Sequence, residues 1–186
     1  MDRFACTKTP IEGLRVIERR VISDSRGFLS RLFCWEDMRT IGWNKPIVQI
    51  NHTLTRQTAT VRGLHFQYPP HAEMKLVTCI RGQIWDVAVD LRAKSPTFLC
   101  WHAEVLSAEN CRSLLIPEGF AHGFQSLTSD CEILYMHSDA YASIAEGGVN
   151  VRDPKVSITW PLPISEISVK DAKCPLLEPN FEGVNL

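Results

Sequence analysis

The rhythm of short Val-, Ile-, Leu-, Phe- and Trp-rich runs between about residues 14 and 137, each ended by a turn signal, most constrains how this chain can fold. Asp24-Ser25-Arg26-Gly27, Tyr68-Pro69-Pro70, Arg81-Gly82 and Pro117-Glu118-Gly119 are such signals. The spacing leaves room for strands and little for helices, and predicts an antiparallel all-β barrel or sandwich. Period two is clearest over residues 83–91, where Trp85, Val87, Val89 and Leu91 alternate with Ile84, Asp86, Ala88 and Asp90. One of these faces is expected to be core and the other mixed. A helix of one or two turns is expected over residues 35–41, ahead of Gly42, and a short helix within 142–149. Beyond Trp160-Pro161-Leu162-Pro163 the prolines predict an irregular tail over 161–186. At 186 residues the chain is expected to form a single domain over 1–186.

Composition narrows the partners. Charged residues make up 22% of the chain and nearly cancel, at a formal net charge of −1, so no global field draws in nucleic acid or an anionic membrane. Any anion must be held by a local cluster. No apolar run approaches the roughly 18 residues of a membrane span, and residues 1–9 carry charge from Asp2 onward without the apolar stretch of a secretory signal. The seven cysteines (6, 34, 79, 100, 111, 131 and 174) are odd in number and lack paired close spacing. They read as reduced, mostly core residues of a cytoplasmic protein, and none is a good nucleophile.

Against this apolar grammar, Arg62-Gly63-Leu64-His65-Phe66-Gln67 and the later Lys75 place a cation, an imidazole, an amide and an amine on core-like strands. Turning such groups inward without partners costs about 1–3 kcal/mol each, so a lined cavity is the expected reason. A second segment, Ile116-Pro117-Glu118-Gly119-Phe120-Ala121-His122-Gly123-Phe124, delivers a histidine from a Pro-x-Gly turn onto a strand. Standing alone, His122 reads equally as a core histidine satisfied by hydrogen bonds.

The Pro-x-Gly-x-x-His turn resembles the second motif of the cupin fold. Metal-binding cupins carry His-x-His in the first motif, where this chain has His65-Phe66-Gln67, with only His71 and Glu73 as stray substitutes, so no metal is expected. The strings RGLHFQ, MKLV, GQIWDVAVDLR, SPTF, VLSAEN, LLIPEGFAHGF and EILY, in this order, resemble the dTDP-4-dehydrorhamnose 3,5-epimerase family over about residues 9–175. The resemblance implies a metal-free, cofactor-free cupin jelly roll that inverts C3 and/or C5 of a nucleotide-diphospho-4-keto-6-deoxyhexose. It also implies a homodimer in which an N-terminal strand completes the partner's sheet.

In a 4-keto sugar the neighbouring carbonyl acidifies the hydrogens on C3 and C5. Inversion then needs a base, an enolate stabiliser and a proton donor on the opposite face. By resemblance His65 is the base, Asp171 its partner, Lys75 the cation at the C4 oxygen and Tyr135 the acid. An imidazole suits the first role because its ordinary pKa of about 6.5 lies near operating pH. Arg26, Arg62, Gln49, Asn51, Tyr141 and Lys170 are the implied substrate contacts, with His122 beside the base. Without the resemblance, Asp171 reads as a solvated tail carboxylate, Tyr135 as core and the arginines as surface ion pairs.

The departures bear on the substrate. Where the family has a second aromatic and then a glutamate against the thymine, this chain has Leu29 and Arg31. Thymine N3 carries a hydrogen and suits a carboxylate, whereas cytosine N3 is an acceptor and suits an arginine. A CDP sugar is therefore the expected substitute, while UDP and GDP present ring N–H donors and are disfavoured. Met136, Ile50 and Val151 also depart from the family pattern, so inversion at a single carbon is an open alternative. A keto-isomerase of the same cupin group and a non-catalytic sugar-nucleotide-binding cupin are the other readings.

Overall fold

A computed structural model describes residues 3–186, so the part of the N-terminal reading that rests on Met1 and Asp2 lies outside the described residues. In chain order the elements are β1 (Phe4–Lys8), β2 (Arg15–Arg19), β3 (Val21–Asp24), β4 (Gly27–Ser30), α1 (Trp35–Thr40), β5 (Gln49–Thr55), β6 (Thr60–Gln67) and β7 (Lys75–Arg81). There follow β8 (Gln83–Asp90), β9 (Trp101–Ser107), β10 (Arg112–Ile116), β11 (Phe120–Ser126), β12 (Cys131–His137), β13 (Glu146–Gly148), β14 (Glu166–Ile167) and α2 (Val169–Ala172). One sheet runs β1-β2-β10-β7-β12-β5; the other runs β13-β6-β11-β8-β9, with β14 also on β6. Within the named strands every pairing is antiparallel except β14 with β6. β3 and β4 form a separate hairpin, and β1 pairs with the chain's own β2.

Between the two sheets lies a core built from alternate residues of facing strands, among them Val77, Ile84, Ala88, Leu114, Phe120, Phe124 and Ile133. Two further apolar layers cover the outer faces. Met38 and Trp43, around α1, pack on Ile17, Leu76, Leu115 and Met136 of the first sheet. Val149, Val151, Val156 and Val184 of the C-terminal segment pack on Val61, Leu64, Val87 and Val89 of the second. The expected split over residues 83–91 is present: Trp85, Val87, Val89 and Leu91 join the apolar layer under the tail, while Ile84 and Ala88 share the other, also buried, face with Asp86 and Asp90.

Two other expectations change. Within 142–149 only Ser143–Ala145 is helical, as a 3₁₀ turn, and the chain then enters β13. The stretch after Pro163 is not irregular throughout, because it contributes β14 and the short helix α2. The local reason is Ser168, whose side chain accepts the Asp171 N–H and caps α2. Helix α1 forms as expected, one residue shorter.

A bulge in β6 matters most for what the interior contains. Strict alternation along Arg62-Gly63-Leu64-His65 would put Arg62 and His65 on opposite faces. Instead His122↔His65 and Phe124↔Arg62 are partners, so two steps on β11 span three on β6 and the side-chain phase shifts at Gly63. Leu64 goes to the outer core while Arg62 and His65 both face inward. The shift requires glycine on both strands. Gly63 has φ +118°, and a Cβ there would lie 2.6 Å from Gly123 Cα; a Cβ on Gly123 would lie 2.7 Å from the Arg62 carbonyl oxygen. Gly123→Ala is therefore expected to cost about 1–3 kcal/mol from overpacking against backbone, and Gly63→Ala more because of its φ. Urea denaturation of the two variants measures both.

Candidate active site

Past the apolar floor, the inward residues of the same strands turn polar and line an open cavity of about 400 Å³. Along β12 the inward series is Cys131, Ile133, Tyr135, His137; the first two belong to the core and the last two to the cavity wall.

His65, on β6, places Nε2 2.8 Å from Asp171 Oδ1. The other carboxylate oxygen accepts the Gly63 N–H at 3.2 Å. Asp171 is 4% exposed, so it is no solvated tail carboxylate. Burial opposes its charge, but the bonds from His65, Gly63 and Ser168 hold its carboxyl below the usual carboxylate range. A carboxylate at Nε2 fixes the proton there and leaves the Nδ1 lone pair of the neutral ring free to take a proton.

Lys75 opens β7 with its side chain nearly buried. Its Nζ donates to the His65 carbonyl at 3.0 Å and lies 3.0 Å from Glu73 Oε1. Glu73 is held in turn by Gln67, whose amide orientation is dictated by a backbone donor. The Ala142 N–H gives to Gln67 Oε1 at 2.6 Å, so Gln67 Nε2 must be the group that donates to Glu73 Oε2 at 3.1 Å. Glu73 is thus the counter-ion of Lys75, not a stray metal ligand, and the His71 ring faces Asp139 at 3.9 Å.

His122 pairs through Nε2 with Asp86 Oδ1 at 2.8 Å. Burial pushes the Asp86 carboxyl up against the opposing pull of His122. Tyr135, on the opposite sheet, lies edge-on to His122 with ring centroids 5.9 Å apart. Burial raises its phenol well above the ordinary value, so the hydroxyl keeps its proton throughout the physiological range.

Gln49, Asn51 and Arg62 line the same cavity, the guanidinium held by Thr55 Oγ1 at 3.0 Å and the Leu54 carbonyl at 3.3 Å. Tyr141 and Lys170 stand at the rim and both engage Glu146, the phenol at 3.1 Å. Arg26, Leu29 and Arg31 are elsewhere. They sit on or just after the exposed β3–β4 hairpin, outside this chain's cavity, and Arg26 is bonded to Asp24 at 2.6 Å.

The sequence reading missed Asp86, His137 and Glu146 altogether and considered Glu73 only as a stray substitute ligand, without its pairing to Lys75. Two-residue spacing held the signal for three of them: Glu73 precedes Lys75 by two, His137 follows Tyr135 by two, and Asp86 lies between inward Ile84 and Ala88.

A family model described as dTDP-4-dehydrorhamnose 3,5-epimerase matches residues 8–179. The chain belongs to that family. It is 42% identical over 173 residues to the dTDP-4-dehydrorhamnose 3,5-epimerase of Salmonella typhimurium, covering 92% of this chain and 94% of that one. The Legionella pneumophila epimerase, solved in complex with dTDP-4-keto-L-rhamnose, superposes with a TM-score of 0.88 at 36% identity, covering 93% of this chain and 92% of that one. A 3'-monoepimerase from Streptomyces bikiniensis, in complex with dTDP-quinovose, gives a TM-score of 0.83 at 33% identity, with 90% and 85% covered. The two-sheet sandwich is thus the cupin jelly roll of these epimerases, and the chain is an isomerase acting on sugar nucleotides. Among the described residues no helix is long and apolar enough to cross a membrane.

Removing Glu73 leaves the buried Lys75 ammonium without its counter-ion. Glu73→Ala is expected to lower stability by about 3 kcal/mol, and Lys75→Met on that background to recover part of the loss. Denaturant midpoints of the single and double variants decide this.

Proposed function

We propose that the cavity inverts C3, C5 or both in a nucleoside-diphospho-4-keto-6-deoxyhexose, with His65 as base, Lys75 as enolate stabiliser and Tyr135 as acid. The observation that carries this reading is that base and phenol stand on opposite sheets of one cavity, with the Lys75 ammonium bonded to the carbonyl of His65. Nδ1 of His65 takes the proton from the carbon beside the ketone, and Asp171 stabilises the imidazolium that forms. Negative charge grows on the C4 oxygen, where a preorganised cation in a water-poor site contributes several kcal/mol. Tyr135 then gives its hydroxyl proton to the same carbon from the other face. Imidazolium and phenolate are reset by exchange with solvent, so each turnover balances without a cofactor.

The nucleobase is proposed to be cytosine. The relatives named above carry dTDP sugars, but Leu29 and Arg31 replace the aromatic and the carboxylate that suit thymine, and Arg31 is a donor for cytosine N3. Both residues lie outside their own chain's cavity; in the homodimer that the family resemblance implies, we infer that they serve the pocket of a second copy. The exposed Ile22, Phe28 and Leu29 on the same hairpin give it an apolar face to bury in such a homodimer. A scattering mass of one 21.1 kDa chain would oppose that arrangement. Seven free thiols fit a reducing, cytoplasmic setting.

In heavy water the wild type is expected to place deuterium at each carbon it inverts, while Tyr135→Phe keeps the exchange and loses inversion. A Tyr135→Phe variant that still inverts removes the phenol from the mechanism, and a wild type that exchanges nothing is a binding module. For the nucleotide, kcat/KM with CDP-4-keto-6-deoxyglucose is expected to exceed that with the dTDP sugar by about tenfold or more, the scale of a charge-assisted contact. A preference for dTDP overturns the cytosine assignment and leaves the chemistry standing.

A further inference from the structure

The cavity holds three imidazoles, and the third differs from the other two in what it is bonded to. His65 and His122 each present Nε2 to a carboxylate. His137 has an amide instead: Asn51 Nδ2 lies 3.4 Å from its Nε2. The direction of that bond is set two residues upstream. The Tyr141 backbone N–H, which can only donate, gives to Gln49 Oε1 at 3.0 Å. Gln49 must then present Nε2 to Asn51 Oδ1, at 3.1 Å, and Asn51 must present its own N–H to His137. Nε2 of His137 is therefore an acceptor, and the ring proton is on Nδ1.

Burial, with the Lys75 and His122 charges nearby, lowers the imidazole to about 4, so the ring is neutral at physiological pH. It is stacked on Tyr135, with centroids 6.2 Å apart at 26°, and its Cα is paired with Lys75 on one side and Gln49 on the other. Among the described residues Nδ1 has no protein partner, and it is not sealed from the cavity. A carboxylate-bound histidine is equipped to accept a proton, whereas this one is equipped to offer a hydrogen bond.

We propose that His137 is a specificity-determining residue of the sugar site, donating from Nδ1 to a sugar oxygen on the Tyr135 side of the substrate. This rests on the function proposed above. The relay makes the donor obligatory: a substrate lacking an acceptor at that point leaves a buried N–H unpaired and is rejected, whereas a freely rotating side chain would adapt. It also ties recognition of the sugar to the position of the segment at Tyr141, whose N–H begins the relay.

The test uses the full-length protein with dTDP- and CDP-4-keto-6-deoxyglucose, taking whichever the wild type turns over, and with the matching free nucleoside diphosphate. His137→Phe keeps the ring stack and removes the donor. It is expected to lower kcat/KM about tenfold while changing the Kd of the free nucleoside diphosphate less than twofold; His137→Gln, which keeps a donor, is expected to recover most of the loss. An unchanged kcat/KM in His137→Phe, or an equal weakening of the free nucleotide, overturns the proposal. Nitrogen-15 spectra of the wild-type imidazole read the state directly: protonation at Nδ1 alone supports it, and protonation at Nε2 or a charged ring overturns it. If neither sugar is turned over, the function proposed above fails. His137 is then judged by binding of dTDP-glucose and CDP-glucose: a loss in His137→Phe supports its role, and no change overturns it.

Discussion

The carboxylate of Asp171 joins two parts of the chain that are 106 residues apart, and the site depends on it. One oxygen orients the His65 ring and the other takes the Gly63 N–H inside the β6 bulge. Burying a carboxylate is unfavourable in itself; here convergent donors offset the cost and keep it ionised. The same contacts hold the C-terminal segment against the second sheet, where its valines complete the outer core. The docked tail thus also fixes the orientation of the His65 ring.

The interior is divided by chemistry along the strands. Its floor is apolar and interdigitated, and the polar end repeats one device, a polar side chain held in orientation by a specific hydrogen-bond or ion-pair partner. Lys75 has Glu73, His122 has Asp86, and Gln67 and Gln49 are each oriented by a backbone N–H. Backbone donors are useful for this purpose because, unlike an amide or hydroxyl, they have a single possible role. The result is a cavity whose hydrogen-bond donors and acceptors are largely oriented before any ligand arrives, which is what electrostatic preorganisation requires.

Much of the architecture was legible beforehand. Turn signals at 24–27, 68–70 and 117–119 and the alternation over 83–91 belong to strands and their ends, and the stop at Gly42 closes α1 within a residue. Resemblance brought His65, Lys75, Tyr135 and Asp171 together, and the fold gathers them around one cavity. What failed had a common cause. The strand at 146–148 and the helix holding Asp171 both depend on a distant surface that local periodicity does not report.

The sequence by itself determined where most strands begin and end, which residues are polar against an apolar background, and that a turn falls at 24–27. Those features are local and steric, so they survive without knowledge of neighbours. Only the tertiary structure decided that Arg62 and His65 share a face, that Asp171 is buried, that Glu73 neutralises Lys75, and that Arg26, Leu29 and Arg31 lie away from their own chain's cavity. Each depends on two backbones approaching within a few ångströms, as Gly63 and Gly123 do, and on the hydrogen bonds that such proximity then makes unavoidable.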